Sequence, residues 1–205
     1  MIVVEAVSLR EGKIVMTPDQ KDLYARICEF KLDHPSASFP FSAKLSWEYQ
    51  WTGIYTYRAI QEYKKFVFLV IVADQALSPS TVVDRVWHLH LLYTQSYWDE
   101  FCGKVLHRSL HHVPSLGGKE EGLKYYHQYC QTLDIYRRYF GQPPTDIWNP
   151  PKFRGEGVSF QWIDRHRYWI IPKLKILAVG QKFLAKMLTV IIKFLSRRNF
   201  GGFFQ

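Results

Sequence analysis

The chain has 205 residues, 47% of them apolar and 22% charged, which excludes wholesale disorder and fits one domain of ordinary size with an appendage. Its three cysteines, Cys28, Cys102 and Cys130, form no CxxC pair, which argues against a disulfide framework or a cysteine-rich zinc site and makes a reducing compartment the default. The charge is lopsided: residues 151–205 hold eleven Lys/Arg against two acids, an excess equal to the whole formal net charge of +9, so residues 1–150 balance to zero.

A neutral body with a basic tail points to an anionic partner for the tail. The opening MIVVEAVSLREGK lacks a basic leader region, and Glu5 interrupts its apolar run, so it does not read as a signal peptide. Aromatic residues make up 17% of the chain, so the core is expected to be built on rings, many with a hydrogen-bonding tip.

Residues 1–15 read as a short strand or an extended arm. Thr17 as cap and Pro18 at the first helical position open a helix expected to run to about Leu32, with Tyr24, Ile27 and Cys28 inward. HPSASFPF breaks it. A second helix is predicted from near Ser42 to near Gly53, and a third from about Ile54 to Ala76. FVFLVIV within the third is far too short to span a bilayer, and the preceding YRAIQEYKKF continues helical spacing, so it reads as buried helix. After LSPS, Thr81 and Asp84 suggest a capping pair, and the next helix is predicted to continue to about Leu106. The loop HRSLHHVPSLGG then leads to a helix over KEEGLKYYHQYCQTLDIYRRYF that stops at Gly141, before two prolines. The expected fold is all-α: a bundle of about five helices over residues 1–151, plus a C-terminal basic amphipathic helix in residues 152–205.

Five of the eight histidines fall in VDRVWHLHLLYTQSYWDEFCGKVLHRSLHH, residues 83–112. Asp84 and His88 are four apart and share a helix face, with Gln95 roughly continuing the stripe. His90 is turned about 200° from His88, so WHLH is not a pair of adjacent ligands, nor an HExxH motif. A carboxylate one turn before an imidazole can co-ligate a metal, orient the ring, or make a plain polar contact. With His107, His111 and His112 arriving from the following loop, Asp84 and His88 form a candidate site for a divalent metal, zinc or iron. The competing readings are a hydrogen-bonded core and metal-free acid–base chemistry. Cys102 near His107 invites a nucleophile pair, against which stands the commoner buried free thiol. There is no GxSxG, P-loop or GxGxxG, and Gly117–Gly118 alone is weak evidence for a phosphate site.

VDRVWHLHLLYTQSYWDEFCG, the following LHH, and FGQPPTDIWNPP resemble the glycine-rich domain-containing-protein-like family, found in plant stress-related proteins and as a bacterial module. FPFSAKLSWEYQW and EYKKFVFLV are similar to its bacterial members. The resemblance covers roughly residues 38–151 and implies a helical module, without naming an activity. Its pattern falls on Asp84, Trp87, His88, His90, Tyr97, His112 and Trp148. This chain departs from the family in lacking a glycine-rich stretch. Some bacterial relatives carry hydrophobic segments after the module, where this chain has a short, lysine-bearing tail.

In that tail Lys175, Lys182, Lys186, Lys193 and Arg197 are spaced by 7, 4, 7 and 4, which places them on one stripe of a helix otherwise covered by aliphatic residues. With Arg198 they make a cationic strip suited to an anionic membrane surface or to a protein partner. Spanning is disfavoured, because between Lys175 and Arg197 the longest uncharged runs, ILAVGQ and MLTVII, have six residues each, far short of a bilayer span. Nucleic acid is disfavoured as well, because the basic residues alternate with aliphatic rather than stacking side chains. Two functions are expected on these grounds: a non-enzymatic, membrane-associated interaction or scaffold module, cytoplasmic and peripheral on the membrane, or a metal-dependent enzyme or metal-binding protein centred on Asp84 and His88. The first predicts that truncation after Pro151 moves the protein from the membrane pellet to the supernatant on cell fractionation. A truncated form that pellets like the full chain would remove the tail from consideration.

Overall fold

The computed structural model describes residues 12–73 and 75–151, together with Lys186. Among the described residues there are six helices and no strand: α1 (Pro18–Glu29), α2 (Phe41–Tyr49), α3 (Gly53–Val72), α4 (Thr81–Leu92), α5 (Gln95–Leu106) and α6 (Lys119–Phe140). None is long and apolar enough to cross a membrane. The chain divides into two units, Met1–Gly157 and Val158–Gln205. Apart from Lys186, which is helical and exposed, the tail residues singled out above lie outside the described residues.

Local signals explain most of the helix boundaries. Thr17 and Gln20 form a reciprocal capping box at the start of α1, satisfying two otherwise free backbone donors. The helix ends at Glu29, short of the expected Leu32, where Lys64 Nζ donates to the carbonyls of Cys28 (2.7 Å) and Phe30 (2.6 Å). Asp33 reaches forward to accept from the Ser42 backbone N–H and hydroxyl, both at 2.7 Å, anchoring the start of α2. That helix stops at Tyr49 because Gln50 turns left-handed (φ 55°). Thr52 caps α3, and FVFLVIV is helical within it. Ser80, not Thr81, caps α4 by accepting from the Val83 N–H.

The long helix expected over 81–106 is two helices. At Tyr93 the backbone leaves the helical region (φ −89°, ψ 65°), and α5 then winds as a π-helix, a geometry rare in runs of this length and often found near functional sites. The break brings Trp87 and Tyr97 into hydrogen-bond contact; a straight helix would set residues ten apart about 15 Å apart along its axis.

α3 packs against α1, α2, α4 and α6, and α5 packs against α1 and α4. Tyr63, Phe66, Val67, Phe68 and Leu69 of α3 are wholly buried, so this stretch is surrounded rather than amphipathic. Ile27 faces the core, while Tyr24 and Cys28 are half-buried at its margin. The N-terminal arm has no regular structure over residues 12–17; its Ile14 N–H donates to the Arg138 carbonyl.

A buried polar knot joins α3, α6 and the turn that follows. The Oε2 of Glu62 accepts from the Tyr136 hydroxyl (2.7 Å) and from the Trp148 indole N–H (2.8 Å), while Lys65 holds Oε1 (2.8 Å). Burial, reinforced by the Glu62 carboxylate, pushes the Tyr136 phenol well above its ordinary pKa, so it stays a donor. Removing one member of a buried charged set leaves its partners desolvated without compensation. Glu62→Ala is therefore expected to lower unfolding free energy by about 3–5 kcal/mol, and Glu62→Gln by markedly less. Urea unfolding monitored by tryptophan fluorescence checks both; equal losses would show that Glu62 acts by its volume alone.

Candidate metal centre

Capping by Ser80 fixes where α4 starts and puts Asp84 in its first turn, where the positive end of the helix favours a carboxylate. His88 follows one turn later on the same face. Its Nδ1 lies 2.9 Å from the Asp84 carbonyl oxygen and 3.2 Å from Oδ2 of the Asp84 carboxylate. Both are acceptors, so Nδ1 carries the hydrogen and Nε2 offers a lone pair.

The third member comes from a strap, residues 107–118, that leaves α5 where His107 turns left-handed (φ 52°). Tyr97 holds this strap down. Its hydroxyl accepts from the Trp87 indole N–H (2.8 Å) and donates to the Leu110 carbonyl (2.5 Å). Each bond polarises the next in such a chain, and all three residues are buried. Burial raises the Tyr97 phenol above its ordinary pKa, so it remains protonated. Two residues past Leu110, the His112 ring sits edge-on to Trp87 with centroids 4.5 Å apart, and its Nε2 lies 2.8 Å from Oδ1 of Asp84.

Asp84, His88 and His112 thus converge from two elements, and their ligating atoms all lie within 4.8 Å of one another. At ordinary zinc bond lengths, ligands on one tetrahedral ion stand about 3.3 Å apart. Binding an ion would draw the more distant atoms together by side-chain rotation. The donor set, two imidazoles and one carboxylate, suits zinc or iron and leaves coordination positions free. Asp84, Trp87, His88 and His112 line a cleft of about 740 Å³ together with Lys124, Tyr125 and Gln128 of α6. That size accommodates a small molecule.

The other histidines are placed elsewhere. His111 lines the same cleft but packs against Trp98, with centroids 5.4 Å apart. His107 bonds the Gly103 carbonyl through Nδ1 (3.1 Å) and lines a separate hollow with Cys102 and Trp98. Cys102 is buried and its thiol is pushed above the ordinary value by desolvation, the opposite of what a nucleophile needs. Gln95 borders another hollow with Asp33 and His34. His90 points away from His88 into the core, as the two-residue offset requires. It sits among Phe30, Phe41, Tyr63, Tyr97 and Phe101. Its Nδ1 meets the Tyr63 hydroxyl at 2.9 Å, and its Nε2 has no hydrogen-bond partner.

Sequence reasoning missed the residues that aim these ligands. Nothing in the local pattern links Tyr97 to Leu110. The available signals were Trp87 and Tyr97 in the resemblance pattern.

Desolvation lowers the His90 pKa to about 3. The unfolded chain takes a proton here near the ordinary pKa of about 6.5, and the folded chain refuses it until far lower. Stability is therefore complete above about pH 6.5 and is lost as pH falls through the window down to about 3, by up to about 1.4 kcal/mol per pH unit. Urea midpoints between pH 6.5 and 4 are expected to fall more steeply in the native protein than in His90→Gln. Parallel slopes would refute the buried, neutral assignment.

A family described as UCP032817-like matches residues 42–139, just under half of the chain. The similar stretch contains Glu62, Asp84, Trp87, His88, His90, Tyr97 and His112, and stops before Trp148. No curated protein and no solved structure matches the chain.

Proposed function

We propose that this chain is a divalent-metal-binding helical module, with the ion held by Asp84, His88 and His112 at the wall of the cleft and the basic segment 152–205 attaching the module to an anionic membrane surface or a protein partner. One observation carries the metal reading: two imidazoles and a carboxylate from elements 28 residues apart converge on one spot beside a cleft. Packing alone does not call for this. His88 is exposed and Asp84 half-exposed, so neither is needed to fill the core.

The surroundings are those of a ligand set rather than a chance polar cluster. The Asp84 carbonyl orients the His88 ring, and the Trp87–Tyr97–Leu110 chain positions His112, as outer partners commonly do for metal-bound histidines. With three protein ligands and free positions facing the cleft, a bound ion would act as a Lewis acid on whatever occupies it. The 2.8 Å contact between Asp84 and His112 also fits a metal-free acid–base pair, and metal analysis separates the two.

Untagged full-length protein analysed by mass spectrometry is expected to carry near-stoichiometric zinc or iron, which is lost in Asp84→Asn, His88→Ala and His112→Ala. Added metal should raise the melting temperature of the native protein only, since an ion at a hundredfold its Kd contributes about 2.7 kcal/mol. Tyr97→Phe touches no ligand, yet is expected to weaken metal binding about 10–100-fold by freeing the strap. A native protein that holds no metal and gains no thermal stability from zinc, iron or manganese would overturn the reading.

A further inference from the structure

The cleft beside Asp84, His88 and His112 has a charge balance and a shape that specify more than a metal. Among the described residues its lining carries two formal charges, the Asp84 carboxylate and the Lys124 ammonium. Lys124 is held by Glu121 (Nζ–Oε1 2.9 Å), whose other oxygen accepts from the Ser115 hydroxyl and the Leu116 N–H. Glu121 keeps the ammonium charged and ties it to the strap. An ammonium has three hydrogens, and Glu121 accepts only one, so Lys124 can still donate toward the cleft. A divalent ion on the three ligands would leave the site, Glu121 included, with one net positive charge. A single negative charge on a ligand balances it.

The rest of the lining is largely apolar, with Val70, Leu77, Pro79, Trp87, Leu110 and Val113 among the side chains present. A neighbouring hollow of about 560 Å³ borders the cleft at Ser78, Pro79, Thr81 and Tyr125, and its lining is mixed, with Ser80, Tyr129 and Asn149 beside Pro150. A ligand that fits the cleft has an anionic head at the metal end and an apolar body.

Resting on the metal reading above, we infer that this cleft binds an organic monocarboxylate with an apolar chain, its carboxylate held by the metal and Lys124 and its chain lying against the apolar lining of the cleft. The free coordination positions take the carboxylate oxygens, the Lys124 ammonium adds a charge-assisted hydrogen bond, and the apolar walls favour length in the chain.

Full-length protein loaded with one equivalent of Co(II), whose visible bands report its ligands, tests this. Octanoate is expected to shift the bands and to bind at least tenfold more tightly than acetate, with octanol silent and octyl phosphate weaker. Lys124→Met is expected to weaken octanoate at least fivefold and to leave Co(II) affinity within twofold. Absence of Co(II) binding would sink the metal reading and this inference with it. Co(II) binding with no response to octanoate would sink this inference alone, as would equal affinity for acetate and octanoate, undiminished octanoate binding by metal-free His88→Ala, or tighter binding of octyl phosphate.

Discussion

Three consecutive polar side chains at the centre of α3 have to be buried, and the structure is arranged around meeting that demand. Glu62, Tyr63 and Lys64 are exposed by 5%, 0% and 5%. Successive residues on a helix point about 100° apart, so the three face different neighbours, and each is bound by a different one. Glu62 takes Tyr136 of α6 and Trp148 of the turn that follows; Tyr63 meets His90 of α4; Lys64 closes the end of α1. A buried polar group without its partner costs more than the same bond contributes when made. The three contacts therefore act less as added stability than as a penalty on every arrangement in which α1, α4 or α6 docks elsewhere. That is how a core built on interchangeable rings selects one packing.

α4 passes this order on to the surface. Its inner face carries Trp87 and His90, committed to Tyr97 and Tyr63, while its outer face carries Asp84 and His88. The helix cannot rotate to retract the outer pair without breaking the inner contacts. The ligand pair is thus held by a rigid element, whereas His112 lies on a strap with no helix of its own, tethered mainly through the Leu110 carbonyl. If these residues hold an ion, two fixed ligands and one tethered ligand would couple its binding to order in the strap, and the same strap lines the cleft.

Most of the helices were legible in the sequence because their signals are local: the Thr17–Gln20 box, Pro18, Gly141 before two prolines, and the period-3.6 pattern through YRAIQEYKKF. The opposite directions of His88 and His90 followed from their spacing alone. The break after Leu92 was not legible. YTQS contains neither glycine nor proline, and the turn there brings Trp87 to Tyr97, a tertiary contact that no local window contains. The same limit governed the site. Asp84 and His88 share a helix face and were visible as a pair, but which of His107, His111 and His112 joins them depends on the hydrogen bond from Tyr97 to the Leu110 carbonyl. That bond fixes the register of the strap. One residue's difference exchanges His112, beside Asp84, for His111, beside Trp98.

The exchange also bears on what kind of site this is. If the strap served only to cover Trp87, apolar residues would cover it at lower desolvation cost, and a histidine aimed at a half-exposed aspartate would gain little, because exposed ion pairs contribute weakly. The strap instead has its buried backbone anchor at Leu110, two residues before His112, and its far end binds Glu121, which holds Lys124, through Ser115 and Leu116. One short segment thereby positions both His112, the third candidate ligand, and Lys124, the one cation among the described residues of the cleft lining. A ligand bound between them would be sensed at both ends of the strap, because the segment that brings His112 to Asp84 also holds Glu121 and, through it, Lys124.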